Sequence, residues 1–412
     1  MVTYTETDGA ERSGRFDRRT FLRGTGATVA AGTLAGCPGG GGDSGPITIG
    51  ALQPLSGPFT PWGQAHRAGL AFAVGEINED GGVLDRDLEV VEADTGSDPG
   101  QADTIFRRHV EQDGAVAMAG PVSSDVGIRT RQTAEELEVP LVLHMAGSHR
   151  ILPKDVRYCF RMGSHSAVTD MTSVTQLIDQ EGYETVGAIM ADYEWGRSVE
   201  TVIGQLMPDD VDLTAEIAPL DEDDFTPFLR EMPDEAGMLI ASGHPPGQIS
   251  IHNQAIELGL EAEVTPGAGF PPAVLAGGLG ENATTFAHQH VADPFSDQFV
   301  DVADRFREAN GERFDTHEAY GYATGQMLAS AIEEADSTEP TAIADALRST
   351  TFDTLLANPI DYVEWGEMRN LVHMLSTFEF EAPEYYPDGE WRLVETFRSE
   401  PLDAFDPDEW EF

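Results

Sequence analysis

The chain has 412 residues with 24 basic against 73 acidic side chains, a formal net charge of −49 at pH 7. A field of that sign repels nucleic acid and anionic membrane surfaces, so neither is a plausible partner. The hydrophobic share of 40% and apolar segments that recur almost to the C-terminus exclude acid-rich disorder. The acids therefore read as a solvated shell on a folded core.

The scarce positive charge is unevenly spent. Five arginines (Arg12, Arg15, Arg18, Arg19 and Arg23) fall in the first 23 residues, followed by a small-residue, mildly apolar stretch from Gly24 to Gly36 and then Cys37. That stretch is far shorter than the roughly 20 residues a bilayer-spanning helix needs. Charge, short apolar run and small residues make an export signal over 1–36. Arg18-Arg19 before Thr20-Phe21-Leu22 resembles the twin-arginine type, and Leu34-Ala35-Gly36-Cys37 resembles a lipobox, in which Cys37 is lipidated. Residues 37–46, rich in glycine, then form a tether. The expected location is the outer face of the cell membrane, reached only through that lipid anchor. Removing residues 1–36 takes away five arginines and four acids, leaving 19 basic against 69 acidic side chains. This excess, with one lysine (Lys154) in the whole chain, resembles proteins of salt-loving archaea, where the screening length is only about 3 Å at 1 M salt. Cys159 is the only other cysteine, so no internal disulfide is available, and it reads as a small buried hydrophobe.

About 365 residues remain, too many for one typical core, so two domains are expected. Strands are predicted at Ile47–Leu52, Leu88–Ala93, Ala115–Ala119 and Leu141–His144, alternating with helices at Gln64–Asn78, Gln101–Val110 and Asp125–Leu137. Short apolar strands separated by helices imply a parallel sheet with crossovers. In such sheets ligands lie beyond the carboxyl ends of the strands. Three loops leave those ends: "LQPLSGPFTPWGQ" with Trp62, "GPVSSD" with Ser123 and Ser124, and "HMAGSH" with Ala146 and Ser148. Ser124 is either a plain helix cap or, with the free N–H groups of a helix start, a seat for a carboxylate or other polar group.

The pattern restarts with strands at Thr185–Met190, Leu213–Ile217 and Met238–Ala241 and helices at Trp195–Leu206, Phe225–Glu231 and Ile249–Leu258. Long helices follow at Asp297–Ala309, His317–Ala335 and Thr341–Arg348, and "YVEWGE" and "WRLVETF" supply strands to a β-rich end. The expected fold class is α/β with two Rossmann-like parallel-sheet lobes. No enzyme constellation is evident. "HEAYG" at His317 lacks the second histidine of a zinc helix. His288 and His290 share one face of a possible strand near Asp293, without a third ligand at metal-site spacing. No Gly-x-Ser-x-Gly elbow or phosphate-loop lysine is present, and "GAGFPP" is too incomplete for a dinucleotide loop. No metal, no cofactor and no catalytic residue is therefore expected. Asn282-Ala283-Thr284 fits a glycosylation pattern.

The ordered segments "IGALQPLSGPFTPWGQAHRAGLAFAVGEINEDGGV", "AGPVSSDVG", "VPLVLHMAGS", "FRMGSHSA", "ADYEWGRS", "GHPPGQISIHNQAIELGL", "HEAYGYATGQMLASAIEEA" and "ALRSTTFDTLLANPIDYVEWGE" resemble the periplasmic Leu/Ile/Val-binding type of solute-binding protein, over nearly all of 47–395. The resemblance implies two lobes joined by three hinge crossings, near 160–163, 290–294 and 358–362. It divides the chain into a first lobe (47–161 plus 291–357), a second lobe (162–290 plus 358–400) and an acidic tail (401–412). It further implies a monomeric, non-enzymatic receptor that delivers a small solute, a branched-chain or other amino acid or a related amide or carboxylate, to ABC permease subunits. Matching motifs imply Ser124 as carboxylate ligand, Ala146 and Ser148 as the donor turn, Trp62 and Trp195 as aromatic walls in place of tyrosines, and His244 in a loop where an aromatic is common. Ser123 stands beside Ser124 as a further candidate. The family's acid for the solute's amino group is absent from "TPGAGFPPAV", so Asp192 or Glu194 substitutes, or the solute has no ammonium group. A sensor with the same lobes, feeding a signalling partner, is the alternative reading.

Overall fold

A computed structural model describes residues 45–163, 166–242, 247–260, 262–267 and 269–410. The expected export signal with Arg18, Arg19 and Cys37, and also His244, lie outside the described residues. Among the described residues no helix is long and apolar enough to cross a membrane.

The first run of elements is β1 (Ile47–Gln53), α1 (Thr60–Glu79), β2 (Leu88–Asp94), α2 (Pro99–Glu111), β3 (Ala117–Ala119), α3 (Ser124–Leu137), β4 (Leu141–Leu143) and β5 (Cys159–Arg161). Its strands form one sheet in the order β2-β1-β3-β4-β5, all parallel. β1 is buried along its length except at Thr48, because helices cover both faces of a doubly wound sheet. Local signals set the helix starts. Asp98 accepts a hydrogen bond from the Gln101 N–H to open α2, and prolines occupy the first turns of α1 and α2.

The second run is α4 (Ala167–Glu181), β6 (Thr185–Ala191), α5 (Glu194–Leu206), β7 (Asp212–Ala218), α6 (Thr226–Leu229), β8 (Met238–Ser242), α7 (Gly247–Leu258), β9 (Thr265–Gly267), α8 (Pro272–Leu279) and β10 (Phe286–His290). The chain then forms α9 (Asp297–Asn310), α10 (Thr316–Ala335), α11 (Pro340–Ser349), β11 (Met374–Glu379) and β12 (Arg392–Arg398). The second sheet is ordered β12-β11-β10-β9-β8-β6-β7. Its parallel part, β7-β6-β8-β9-β10, repeats the winding order of the first sheet, and β11 and β12 extend it antiparallel. The helices α9 to α11 return to the first sheet, where Phe299, Phe306, Leu328 and Leu347 share an apolar cluster with Ile49 and Leu141. The chain thus passes between lobes after β5, after β10 and before β11.

Three details depart from the sequence-based expectation. The third passage comes later than 358–362, since Ile360, Tyr362, Met368 and Leu371 belong to the first lobe's cluster. "YVEWGE" is not a strand but a turn: Tyr362 bridges Met368, and Gly366 adopts φ +84°, a conformation that suits glycine. Residues 401–410 do not trail as an acidic tail. Leu402 pairs with Leu371, and Phe405 is buried in the second lobe's cluster with Trp410 packed against it, so apolar anchors outweigh the acids around them.

α1 and α10 pack face to face through glycines. A Cβ on Gly69 would overlap the Glu318 carbonyl, and one on Gly321 would overlap the His66 carbonyl, whereas Gly75, farther along α1, faces open space. Gly69→Ala should therefore cost about 2–3 kcal/mol of unfolding free energy by overpacking. Gly75→Ala should gain about 0.5–1 kcal/mol from better helix propensity. Guanidinium unfolding in molar salt checks both, and equal effects would contradict this packing.

Candidate functional site

Each sheet reverses its strand order once, between β1 and β3 in the first lobe and between β6 and β8 in the second. Loops at such reversals form a crevice at the strands' carboxyl ends. The loop after β1 delivers Phe59 and Trp62 into the first turn of α1, and the loop after β3 turns at Gly120 (φ +103°) before a cis Pro121. A Cβ on Gly120 would overlap the Leu52 carbonyl, so only glycine lets this loop pack against β1.

Ser123 caps α3 by backbone position, without a side-chain capping bond, and Ser124 opens the helix; both are buried. The Ser124 hydroxyl oxygen accepts from the N–H groups of Gly147 (3.2 Å) and Ser148 (3.1 Å), so the two sequence-predicted loops of the first lobe are tied together. Ser148 in turn donates its hydroxyl to Glu194 Oε1 at 2.7 Å, across the seam to α5 of the second lobe. Arg150 Nη1 meets the other carboxylate oxygen of Glu194 at 3.0 Å. The ring of His149 contacts Ser198 Oγ from the same side, and its backbone N–H donates to that oxygen at 3.2 Å.

Trp62 is buried (4% exposed), and its indole N–H donates to the Gly269 carbonyl at 2.8 Å. Its ring lies edge-on to Phe270 at 4.4 Å, within a cluster that includes Leu275, Leu279 and Phe378 of the second lobe. Phe59 approaches Tyr193, on the second-lobe side, at 6.1 Å. Burial, and secondarily the carboxylate of Asp125, pushes the Tyr193 hydroxyl well above its ordinary range, so it stays protonated and able to donate.

The structure therefore brings Trp62, Ser124, Ser148 and Glu194 to the seam, with Ser123 and Ala146 buried beside them in the first lobe. Two expectations change. Trp195 is not the partner wall to Trp62: it lies in the second lobe's own apolar cluster, with its indole N–H donating to Ser242 Oγ at 2.9 Å. Asp192 points outward to Arg197 at 2.9 Å, with both side chains about half exposed, and cannot hold a solute's amino group from there. Glu194 has both oxygens engaged, by Ser148 and Arg150.

Sequence reasoning missed the aromatic pair Phe59 and Tyr193, and it missed a buried array of histidines. His144 and His66 lie 4.5 Å apart by ring centroid, His66 and His317 stack at 5.8 Å, His317 and His288 stand at 6.0 Å, and His288 and His290 stack at 5.0 Å. The array runs from α1 and the end of β4, through α10, to β10 of the second lobe. Burial drives every member down. His144 and His317 fall to about 3 and His290 to about 4, and His66 and His288 lie well below the ordinary value, with neighbouring imidazoles adding to the effect. Both ring nitrogens of His66 and of His144 lack a hydrogen-bond partner. Among the described residues no group of three or more His, Cys, Asp or Glu side chains is arranged to hold a metal ion. The strand expected around His288 and His290 is present as β10.

Comparison with known proteins adds to this geometry. A family model described as periplasmic binding protein matches residues 46–376. The leucine-, isoleucine-, valine-, threonine-, and alanine-binding protein of Pseudomonas aeruginosa is 24% identical over 351 residues, which is 83% of this chain and 91% of that one. Among solved structures, an ABC transporter substrate-binding protein from Sphaerobacter thermophilus superposes with a TM-score of 0.75 at 21% identity, covering 87% of this chain and 99% of that one. A solute-binding protein of an ABC transporter from R. palustris, in complex with benzoate, superposes with a TM-score of 0.73 at 18% identity, covering 88% of this chain and 98% of that one.

Proposed function

This chain belongs to the periplasmic binding protein family, and from that membership we propose that it is the extracytoplasmic solute-binding component of an ABC importer, capturing an amino acid or a related small amide or carboxylate. The observation that carries the reading is the meeting of the two strand-order reversals. Loops from both lobes converge on Trp62, Ser124, Ser148 and Glu194. Ser124 is tied to the 146–148 turn within the first lobe, while Ser148–Glu194, Arg150–Glu194 and Trp62–Gly269 cross between lobes and are contacts that lobe motion can make or break. In the open form Ser124 and the N–H groups of the 146–148 turn sit at the start of α3, a place that favours a carboxylate or amide oxygen. Closure then covers the solute's other end with Trp62, Phe59 and Tyr193. A solute stabilises closure only to the extent that it binds the closed form better than the open one.

Two relatives bracket the solute class. One is named for leucine, isoleucine, valine, threonine and alanine, and another holds benzoate. Glu194 is already committed to Ser148 and Arg150, which favours a solute whose polar end is a carboxylate or amide and whose other end is apolar. The lipidated Cys37 would keep the body near its permease and raise the effective concentration for encounter. His317, a member of the array held neutral at ordinary pH by burial, lies beside Gly269, whose carbonyl accepts from the Trp62 indole.

A thermal-shift panel of amino acids, amides and small aliphatic or aromatic acids, run in molar salt, tests the proposal. A true solute at about 100 times its Kd should stabilise by about 2.7 kcal/mol. Ser124→Ala should weaken its binding at least about tenfold, the loss of roughly one charge-assisted hydrogen bond. A panel in which no compound raises the melting temperature would overturn the assignment, and unchanged affinity in Ser124→Ala would remove that serine from the site.

A further inference from the structure

A fully buried guanidinium sits beneath the 146–148 turn. Arg161, the last residue of β5, is 0% exposed and forms two parallel bonds to Glu367, with Nε to Oε2 and Nη2 to Oε1 both at 2.8 Å. Two further donors go to the turn: Nη1 to the Ala146 carbonyl at 2.6 Å and Nη2 to the Ser148 carbonyl at 3.3 Å. A planar, five-donor fork can serve a carboxylate and two carbonyls at once, which a lysine ammonium cannot do in this fixed geometry.

The consequence follows from peptide planarity. In a trans peptide the carbonyl of one residue and the N–H of the next point in opposite directions. Holding the Ala146 carbonyl inward therefore turns the Gly147 N–H outward, where it meets Ser124 Oγ at 3.2 Å. Holding the Ser148 carbonyl inward turns the His149 N–H outward, where it meets Ser198 Oγ of the second lobe at 3.2 Å. The intervening Gly147 carbonyl accepts from the Ala167 N–H, at the start of α4, at 2.9 Å. Arg161 also stands at the first passage between lobes and Glu367 just ahead of the third. The two segments are clamped a second time by the Arg161 N–H to the Gly366 carbonyl (3.0 Å) and by the Tyr362 hydroxyl to the Arg161 carbonyl (2.8 Å).

We infer that Arg161, held by Glu367, is a positioning residue: it aims the Gly147 N–H at the solute-binding serine and the His149 N–H at the opposite lobe, so that the solute turn and the base of the hinge move as one piece. The functional meaning of this coupling rests on the solute-binding reading given above; the positioning itself does not.

The test is amide hydrogen exchange on the full chain in molar salt, without added solute, so its outcome is independent of the solute assignment. Replacing both partners by apolar residues, Arg161→Met with Glu367→Leu, removes the fork without leaving a buried charge, a change that folded proteins often tolerate. Exchange at Gly147 and His149 should then rise at least about tenfold, while amides in β1 stay within about twofold of the parent. Glu367→Gln keeps the guanidinium and its two carbonyl bonds, so exchange at Gly147 and His149 should stay near the parent even though the melting temperature falls. Arg161→Lys keeps a cation for Glu367 but loses the fork, and should repeat the rise if the apolar pair fails to fold. Unchanged exchange in the fork-less variants would overturn the inference. So would exchange that simply tracked melting temperature across all three.

Discussion

Acidification from pH 6.5 to 4.5 in molar salt should destabilise the fold steeply, at up to about 5 kcal/mol per pH unit. Seven histidines (His66, His144, His149, His252, His288, His290 and His317) have folded values below the ordinary one, in each case with burial as the first cause. Below pH 6.5 the unfolded chain protonates these rings and the folded chain does not, so unfolding takes up protons and stability is lost as pH falls. Three buried acids act in the opposite sense. Burial raises Asp170 and Glu318 to about 7, so the fold already holds protons there that the unfolded chain releases above about pH 4; Asp315 is raised in the same direction by burial, against the pull of Arg313. Setting the six histidines lowered far, all but His252, against the two acids at about 7 leaves about four protons taken up on unfolding, at about 1.4 kcal/mol per proton per pH unit. Relief of acid–acid repulsion would work against this trend in dilute buffer, but a screening length of about 3 Å in molar salt removes most of it. Denaturant unfolding at pH 7, 6 and 5 checks the slope. A flat profile would mean that the histidine array is hydrated and titrates freely.

Trp62→Ala should open the two lobes without unfolding either. The indole is the largest first-lobe group in the apolar cluster it shares with Phe270, Leu275, Leu279 and Phe378, which is separate from the second-lobe cluster around Trp195, and the first lobe's own cluster does not include it. A buried tryptophan covers about 150–250 Å², worth about 4–6 kcal/mol at 25 cal/mol per Å². If half of that is lost on opening, the bond to the Gly269 carbonyl adds about 1 kcal/mol more. The closed-to-open ratio should therefore fall by about two to three orders of magnitude. Small-angle scattering should show a larger radius of gyration for the variant, with a melting temperature within roughly 4 °C of the parent's. Parent-like dimensions would show that Ser148–Glu194, Arg150–Glu194 and His149–Ser198 hold the lobes together unaided.

The two lobes were legible because strands such as Ile47–Leu52 and Thr185–Met190 are short apolar runs flanked by amphipathic helices, and periodicity reads that arrangement directly. What periodicity could not read was segment membership. The run 358–371 looks like a return to the second lobe, yet Ile360, Tyr362 and Leu371 find their partners in the first, a choice made by tertiary packing. The tail misled for a similar reason: three apolar anchors at Leu402, Phe405 and Trp410 dock a segment whose composition is acidic. Ser124, at a helix start beyond a strand end, followed from loop position, and Ser148 followed from the family resemblance of its turn. Residues whose role depends on side-chain direction did not. Trp195 and Trp62 occupy similar places at helix starts, but one turns into its own lobe and the other into its neighbour. The histidine array was invisible because its members are spread from residue 66 to residue 317, and only tertiary packing of α1, α10, β10 and the end of β4 brings them together.

The account rests on closure of two lobes around a small solute. Titration calorimetry of the amino-acid, amide and carboxylate panel into the full chain, at two temperatures in molar salt, tests it most directly. The account predicts saturable binding of one molecule per chain by at least one of these compounds, with a negative heat-capacity change from the apolar surface that closure buries. Absence of saturable binding across the panel, or binding without any heat-capacity change, would contradict it.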